Sequence, residues 1–240
     1  MALLLELYLG HLIGDFVLQP GWLVAAKRDK VWGLLVHVVL IGLCTAIILG
    51  GALIELWNIV LLAMAAHMVI EVVTVRIRAT NRVSGLSVFL FDQGLHIVSL
   101  VALVAIGSQL VDIDTTDGMA LAMGVPALAL ACAIVAVGFM GAIVGHETVN
   151  ALGPISKRRV LLPFDTQRVL GMLERVSALL LAVLVDPVFM LAAFVPRTVY
   201  MWRRSADDRA YHMIIAATGL VVAAAGWLFV AMLTLASVGN

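Results

Sequence analysis

Three times in its first hundred residues the chain places a histidine and a carboxylate four positions apart inside a run apolar enough to enter a bilayer. The pairs are His11 with Asp15, His67 with Glu71 and, in reverse order, Asp92 with His96. Residues four apart share one face of a helix. Gln19 continues the first face, and a lone His37 stands in the apolar run between the first pair and the second. An ionisable side chain at membrane depth is costly unless it pairs or meets a wet cavity. A chain carrying seven of them must fold so that its helices turn them toward one another.

The surrounding composition makes the membrane setting firm. Hydrophobic residues are 63% of the chain and charged ones 12%, with a mean hydropathy of +1.12; a soluble domain is about half apolar and about a quarter charged. The fold class expected is all-α, a polytopic transmembrane helix bundle, in one transmembrane domain over residues 1–240. Fifteen basic and fifteen acidic residues cancel, so no electrostatic pull toward nucleic acid is implied. Cys44 and Cys132 each sit in an apolar run, without the spacing of a cysteine metal motif, and read as small core residues. The amino end has no basic n-region, and its first apolar run carries Glu6, His11 and Asp15, so that helix is expected to be retained.

A membrane-spanning helix needs about 20 mainly apolar residues. Runs of that kind fall at 2–19, 33–54, 57–75, 88–110, 119–146, 169–185, 188–202 and 210–236, about eight helices, or seven if 169–202 is continuous. Asp186-Pro187 favours a turn there, since proline lacks a backbone donor. Lys27, Arg28 and Lys30, then Arg76, Arg78 and Arg82, then Lys157, Arg158, Arg159 and Arg168, and finally Arg203, Arg204 and Arg209 mark alternate connections. The connections between them hold Glu55, Asp112, Asp114, Asp117 and Asp186 and neither Lys nor Arg. By the excess of Lys and Arg in cytoplasmic loops, the basic connections face the cytoplasm and both termini lie outside. Trp22, Trp32, Trp57 and Trp202 fall at segment ends, where interfacial rings belong.

Counted inward from the basic ends, Asp15, His37, Glu71 and Asp92 lie about four residues deep and His11, His67 and His96 about eight, roughly 6 and 12 Å at 1.5 Å per residue. Seven ionisable groups from four helices thus share one layer. Neutral imidazoles with carboxylates suit zinc, manganese or iron. A proton or cation relay is the second outcome, since histidine titrates near neutrality. The third is interhelical hydrogen bonding that only holds helices together.

The pattern His11-x-x-x-Asp15-Phe-x-x-Gln19, with Lys27, His37, His67-x-x-x-Glu71, Phe91-Asp92-Gln93-x-x-His96 and Gly171-x-x-Glu174-Arg175, resembles an uncharacterised bacterial integral-membrane family, a domain of unknown function. Glu71 departs from it, because the family pattern has Asp there. The resemblance implies a bacterial cytoplasmic-membrane protein and no established activity. A looser likeness runs to YdjM-type membrane-bound metal-dependent hydrolases, which also place His and Asp on successive helices.

The reading that results is a metal-dependent membrane enzyme, hydrolase-like, with its site near the cytoplasmic side. Its expected cofactor is a divalent ion held by His11, Asp15, His67, Asp92 and His96, with Glu71 and His37 as catalytic groups. Gln19, Gln93, Glu174 and Arg175 are the expected supporting residues; Glu174 and Arg175 equally suit an ion pair at a helix entry. Lys27 reads as a topology-setting loop residue or a contact for a lipid phosphate. The expected partners are the bilayer, a lipid-linked substrate and, in the assembled state, further copies of the chain. The alternatives are an ion- or proton-coupled transporter and a membrane scaffold. No serine or cysteine nucleophile narrows the reaction. Tags at Asn240 and in 111–117 should be reached by impermeant reagents from outside and a tag in 156–160 only from the cytoplasm; cytoplasmic labelling at Asn240 would break the alternation.

Overall fold

The computed structural model describes residues 1–80, 82–107, 118–152, 165–202 and 206–238. Asp112, Asp114, Asp117, Lys157, Arg158, Arg159, Arg203, Arg204 and Asn240 lie outside them. The chain forms two compact units, Met1–Cys132 and Ala133–Asn240, each taken by itself below. The described residues are helical, as composition requires.

In the first unit, α1 (Ala2–Leu12) continues as a π-helical turn, Ile13–Val17, and α2 (Gly21–Asp29) follows. Next come α3 (Val31–Leu49), a three-residue turn Gly50–Ala52, α4 (Leu53–Ala79), α5 (Gly85–Gly107) and the short α6 (Met119–Met123), before α7 begins at Val125. Gly50, at φ 54°, supplies the left-handed residue that lets α3 fold back on α4. Contacts fix the directions. Gly42 meets Met64 and His37 meets His67, so α3 and α4 are antiparallel. By the same logic α1 runs against α3, α5 against α4, and α1 against α5, where Phe16 meets Phe89. Four helices therefore close a ring of antiparallel neighbours, which places the ends that carry the polar layer at one level.

The far end of that ring is dry. Leu3, Leu7, Leu49, Leu56, Ile59, Leu100 and Leu103 form its core. The outside is apolar too: Ile47 is 74% exposed and Ile54 83%, while His37 is 0% exposed. Polar groups inside and aliphatic ones outside are the distribution a lipid solvent selects.

One expectation fails here. Residues 20–32 read as a loop from their charges, yet Gly21–Asp29 is a helix, bent 96° from the Ala2–Val17 helix at Pro20. Proline at the N-cap stops the first helix and starts the second. With one buried residue, Leu23, and Trp22 stacked on Trp32, α2 has the form of an interfacial helix, too short and too charged to register as an apolar run.

The second unit contains the rest of α7 (Val125–Val135), a π turn Ala136–Met140, α8 (Gly141–Ala151), α9 (Thr166–Leu184), a 3₁₀ segment Pro187–Phe194, α10 (Val195–Met201) and α11 (Ala206–Val238). The break expected at Asp186-Pro187 is present, with Asp186 Oδ1 accepting from Val188 N at 2.9 Å. Among the described residues, four runs are long and apolar enough to cross a membrane: Val31–Ala79, Gly85–Gly107, Val125–Ala151 and Arg209–Ser237. The first is the α3–α4 hairpin, and the bent pair Ala2–Val17 with Gly21–Asp29 passes the same test of length and composition only when its two helices are counted as one span. α9 carries Arg168, Glu174 and Arg175 in 19 residues, and Pro187–Met201 is an apolar helix below that length.

Backbones also approach closely between α1 and α3. A Cβ on Gly10 would lie 2.6 Å from Thr45 Cα, and one on Gly14 2.8 Å from Ile41 Cα. Small residues four apart let membrane helices pack this tightly. Gly10→Val or Gly14→Val should therefore cost about 1–3 kcal/mol or more by overpacking, read as a lower unfolding midpoint in detergent.

Candidate metal centre

All seven layer residues come from the first unit, and six of them are buried: His11, Asp15, His37, His67, Glu71 and His96. The expectation of a shared layer holds, but its internal division was not legible. Two donor sets form, each with ligand atoms within 4.8 Å of one another: His11, His67 and His96, and Asp15, His37, His67 and Glu71. Only His67 belongs to both.

A π turn follows His11: Leu18 N donates to Ile13 O at 2.9 Å, an i→i+5 bond. His11 packs against His67 of α4 and His96 of α5, whereas Asp15 meets Lys27 of α2 and His37 of α3 and shares a donor set with Glu71 of α4. Asp92, expected as a ligand, lies in neither set. Its backbone oxygen bonds His96 Nδ1 at 2.9 Å, and its Oδ2 accepts from Gln93 Nε2 at 3.0 Å.

That backbone bond fixes a tautomer, and the rest follow. His96 Nδ1 must donate to a carbonyl, which leaves Nε2 as an acceptor, 2.7 Å from His67 Nδ1. His67 Nδ1 then carries a proton and Nε2 accepts, 3.0 Å from His37 Nε2. His37 Nδ1 in turn accepts from Gln19 Nε2 at 2.8 Å, and Gln19 also donates to Asp15 Oδ1 at 3.3 Å. These three imidazoles and one amide form a single directed chain from the link before α2 across α3, α4 and α5. Gln19 takes the supporting place expected of it.

His11 stands apart from this chain. Its Nε2 is buried and has no hydrogen-bond partner among the described residues, a costly condition for a polar atom. Its ring packs 4.6 Å from that of His96 and 5.3 Å from that of His67. A cavity of about 20 Å³, lined by His11, Thr45, His67, His96 and Ser99 with apolar neighbours, lies against these three rings. The donor chemistry fits a divalent ion: three imidazoles, one with an orphaned nitrogen, beside a space of atomic size.

Lys27 was not expected in this layer. From α2 its Nζ reaches 2.6 Å from Glu71 Oε1, 3.4 Å from His37 Nε2 and 3.7 Å from Asp15 Oδ1. Its position in a basic stretch hid this role, because only the 96° bend at Pro20 brings α2 back over the helix ends.

Residues 3–117 match the model of a family described as Protein of unknown function (DUF3307). The match is consistent with the expected resemblance to an uncharacterised domain family. This DUF3307 segment contains the whole polar layer and ends before the second unit. No curated protein and no solved structure matches the chain.

Glu174 and Arg175, outside the DUF3307 segment, have their own partners in the second unit. Arg197 donates to Glu174 Oε2 from Nε at 2.7 Å and from Nη2 at 2.6 Å, and its Nη1 lies 3.0 Å from His212 Nδ1. Arg175 donates from Nε to Val137 O and from Nη2 to Gly138 O, both at 2.8 Å. Those carbonyls belong to the π turn Ala136–Met140, so Arg175 caps it. Arg175→Leu removes two charge-assisted bonds and should destabilise the protein by about 1–3 kcal/mol for each carbonyl left without a donor, measured as a shift in unfolding midpoint.

Proposed function

We propose that the protein is a metal-dependent membrane enzyme of hydrolase type, acting on a lipid-linked substrate from the cytoplasmic side of a bacterial membrane. The observation that carries this reading is the orphaned His11 Nε2, converging with His67 and His96 on a small buried cavity. Three histidines are a ligand set that leaves one position open on zinc, and a bound ion of this class lowers the pKa of its water. His11, His67 and His96 hold the ion. His96 is aimed by the carbonyl of Asp92, and His67 is steadied on its other nitrogen by His37. With an ion on His67 Nδ1 the imidazole proton would lie on Nε2, which faces His37 Nε2 at 3.0 Å and Glu71 Oε1 at 3.8 Å. Glu71 and Asp15 are the buried carboxylates that would supply a general base.

A second reading rests on a different observation. The unbroken run from Asp92 O through His96, His67 and His37 to Gln19 is a proton wire in form, which supports an ion- or proton-coupled transporter. A scaffold held by the same bonds is the remaining case.

Elemental analysis and unfolding of the detergent-purified protein separate the three. The enzyme reading expects stoichiometric zinc, manganese or iron, lost on replacing His11, His67 or His96 by Ala, and scarcely further reduced in double variants, since an incomplete ligand set has already lost its geometry. His37→Ala should weaken binding about 10–100-fold without abolishing it. Metal-free protein whose vesicles pass protons, with His67→Ala blocking the flux, would replace the enzyme with the relay. Metal-free protein with no flux and additive stability losses would leave the scaffold.

A further inference from the structure

The Lys27 ammonium occupies the position that a cation would take among Asp15, His37 and Glu71. Its nitrogen lies within 3.7 Å of one atom of each, and these residues with His67 are one of the two donor sets that converge closely enough for an ion. Two carboxylates are buried there, at 8% and 5% exposure, against one lysine whose side chain is 11% exposed. One positive charge against two negative ones leaves the set short by one, and buried charge that is not compensated is costly. A divalent ion would balance it.

The two donor sets also use different nitrogens of the histidine they share. His67 Nδ1 faces His96 and His67 Nε2 faces His37 and Glu71; a neutral imidazole has one free lone pair, so His67 serves one set at a time, and with the first set filled Asp15, His37 and Glu71 make up the second. Lys27 can leave. It is on a helix of two and a half turns beyond a 96° bend, whose one buried residue is Leu23, and a lysine stem is a flexible four-carbon tether with a compact charge.

We propose that Lys27 is a tethered cation that fills a second divalent-metal position formed by Asp15, His37, His67 and Glu71, and that an ion enters this position only when the Lys27 ammonium withdraws. The assignment deepens the metal reading above but does not need the His11, His67 and His96 position to be filled. It makes the layer a two-position centre with one position closed by the chain itself. The ligand is a hard or borderline divalent cation, since two of the four donors are carboxylates.

The test is the manganese content of full-length wild type and Lys27→Met, loaded with manganese chloride and freed of excess ion. Lys27→Met should carry about one ion per chain more than wild type, a gain abolished in Lys27→Met with Glu71→Gln because the set then lacks a charged ligand. If the triad binds nothing, wild type holds none and Lys27→Met still gains an ion, so the two readings fail separately. A folded Lys27→Met with the same content as wild type overturns the proposal. Should Lys27→Met not fold, wild type decides. Manganese should raise the acylation of Lys27 by an N-hydroxysuccinimide ester several-fold, read by peptide mass spectrometry, while Lys30 stays constant. Unchanged or reduced labelling of Lys27 overturns the proposal.

Discussion

Charge without water is the constraint around which the first unit is organised. Asp15 and Glu71 are buried among helices whose outer faces present Ile47, Ile54 and their like, so no solvent compensates them from outside. Lys27 does so from within the chain, at 2.6 Å from Glu71 and 3.7 Å from Asp15. The break at Pro20, the bend of α2 and its seating beside α3 are all needed to deliver that ammonium. Removing water makes each pairing stronger and each missing partner more costly, so an unpaired atom in such a layer is informative in a way that a surface atom is not.

His67 is the point at which the layer becomes one network. It is hydrogen-bonded on both nitrogens, to His96 on one side and to His37 on the other, and it alone belongs to both donor sets. The directed tautomers that follow from the Asp92 carbonyl leave no freedom in the chain except at its open end near Lys27. Opposite this network lies the leucine-rich end of the ring, which supplies the rigid frame. The close approach at Gly10 and Gly14 then sets how near α1 can bring His11 and Asp15 to the other helices. Polar convergence thus depends on apolar packing at the far end and on small residues beside the layer itself.

The polar layer was legible because it rests on periodicity and depth. His11, His37, His67, Glu71 and His96 do meet, as four-residue spacing and the common distance from the basic ends require. The Asp186-Pro187 break was legible for the same kind of reason, a local backbone preference. The glycines at 10 and 14 carried a readable signal that the His and Asp beside them obscured. By contrast, α2 was hidden, because nine residues with two basic side chains in the last turn look like a loop when only apolar length is counted.

Sequence alone determined that this is an all-helical membrane protein with a layer of ionisable groups at one depth, since hydropathy and helical period are properties of the chain in order. Only the tertiary structure decided how the layer is divided. Asp15 joined His37, His67 and Glu71 and not the His11 set, the bend at Pro20 placed Lys27 among the carboxylates, and Asp92 came to orient His96 through its backbone. Each of these depends on how the helices meet in space, to which a count of residues between like groups is blind.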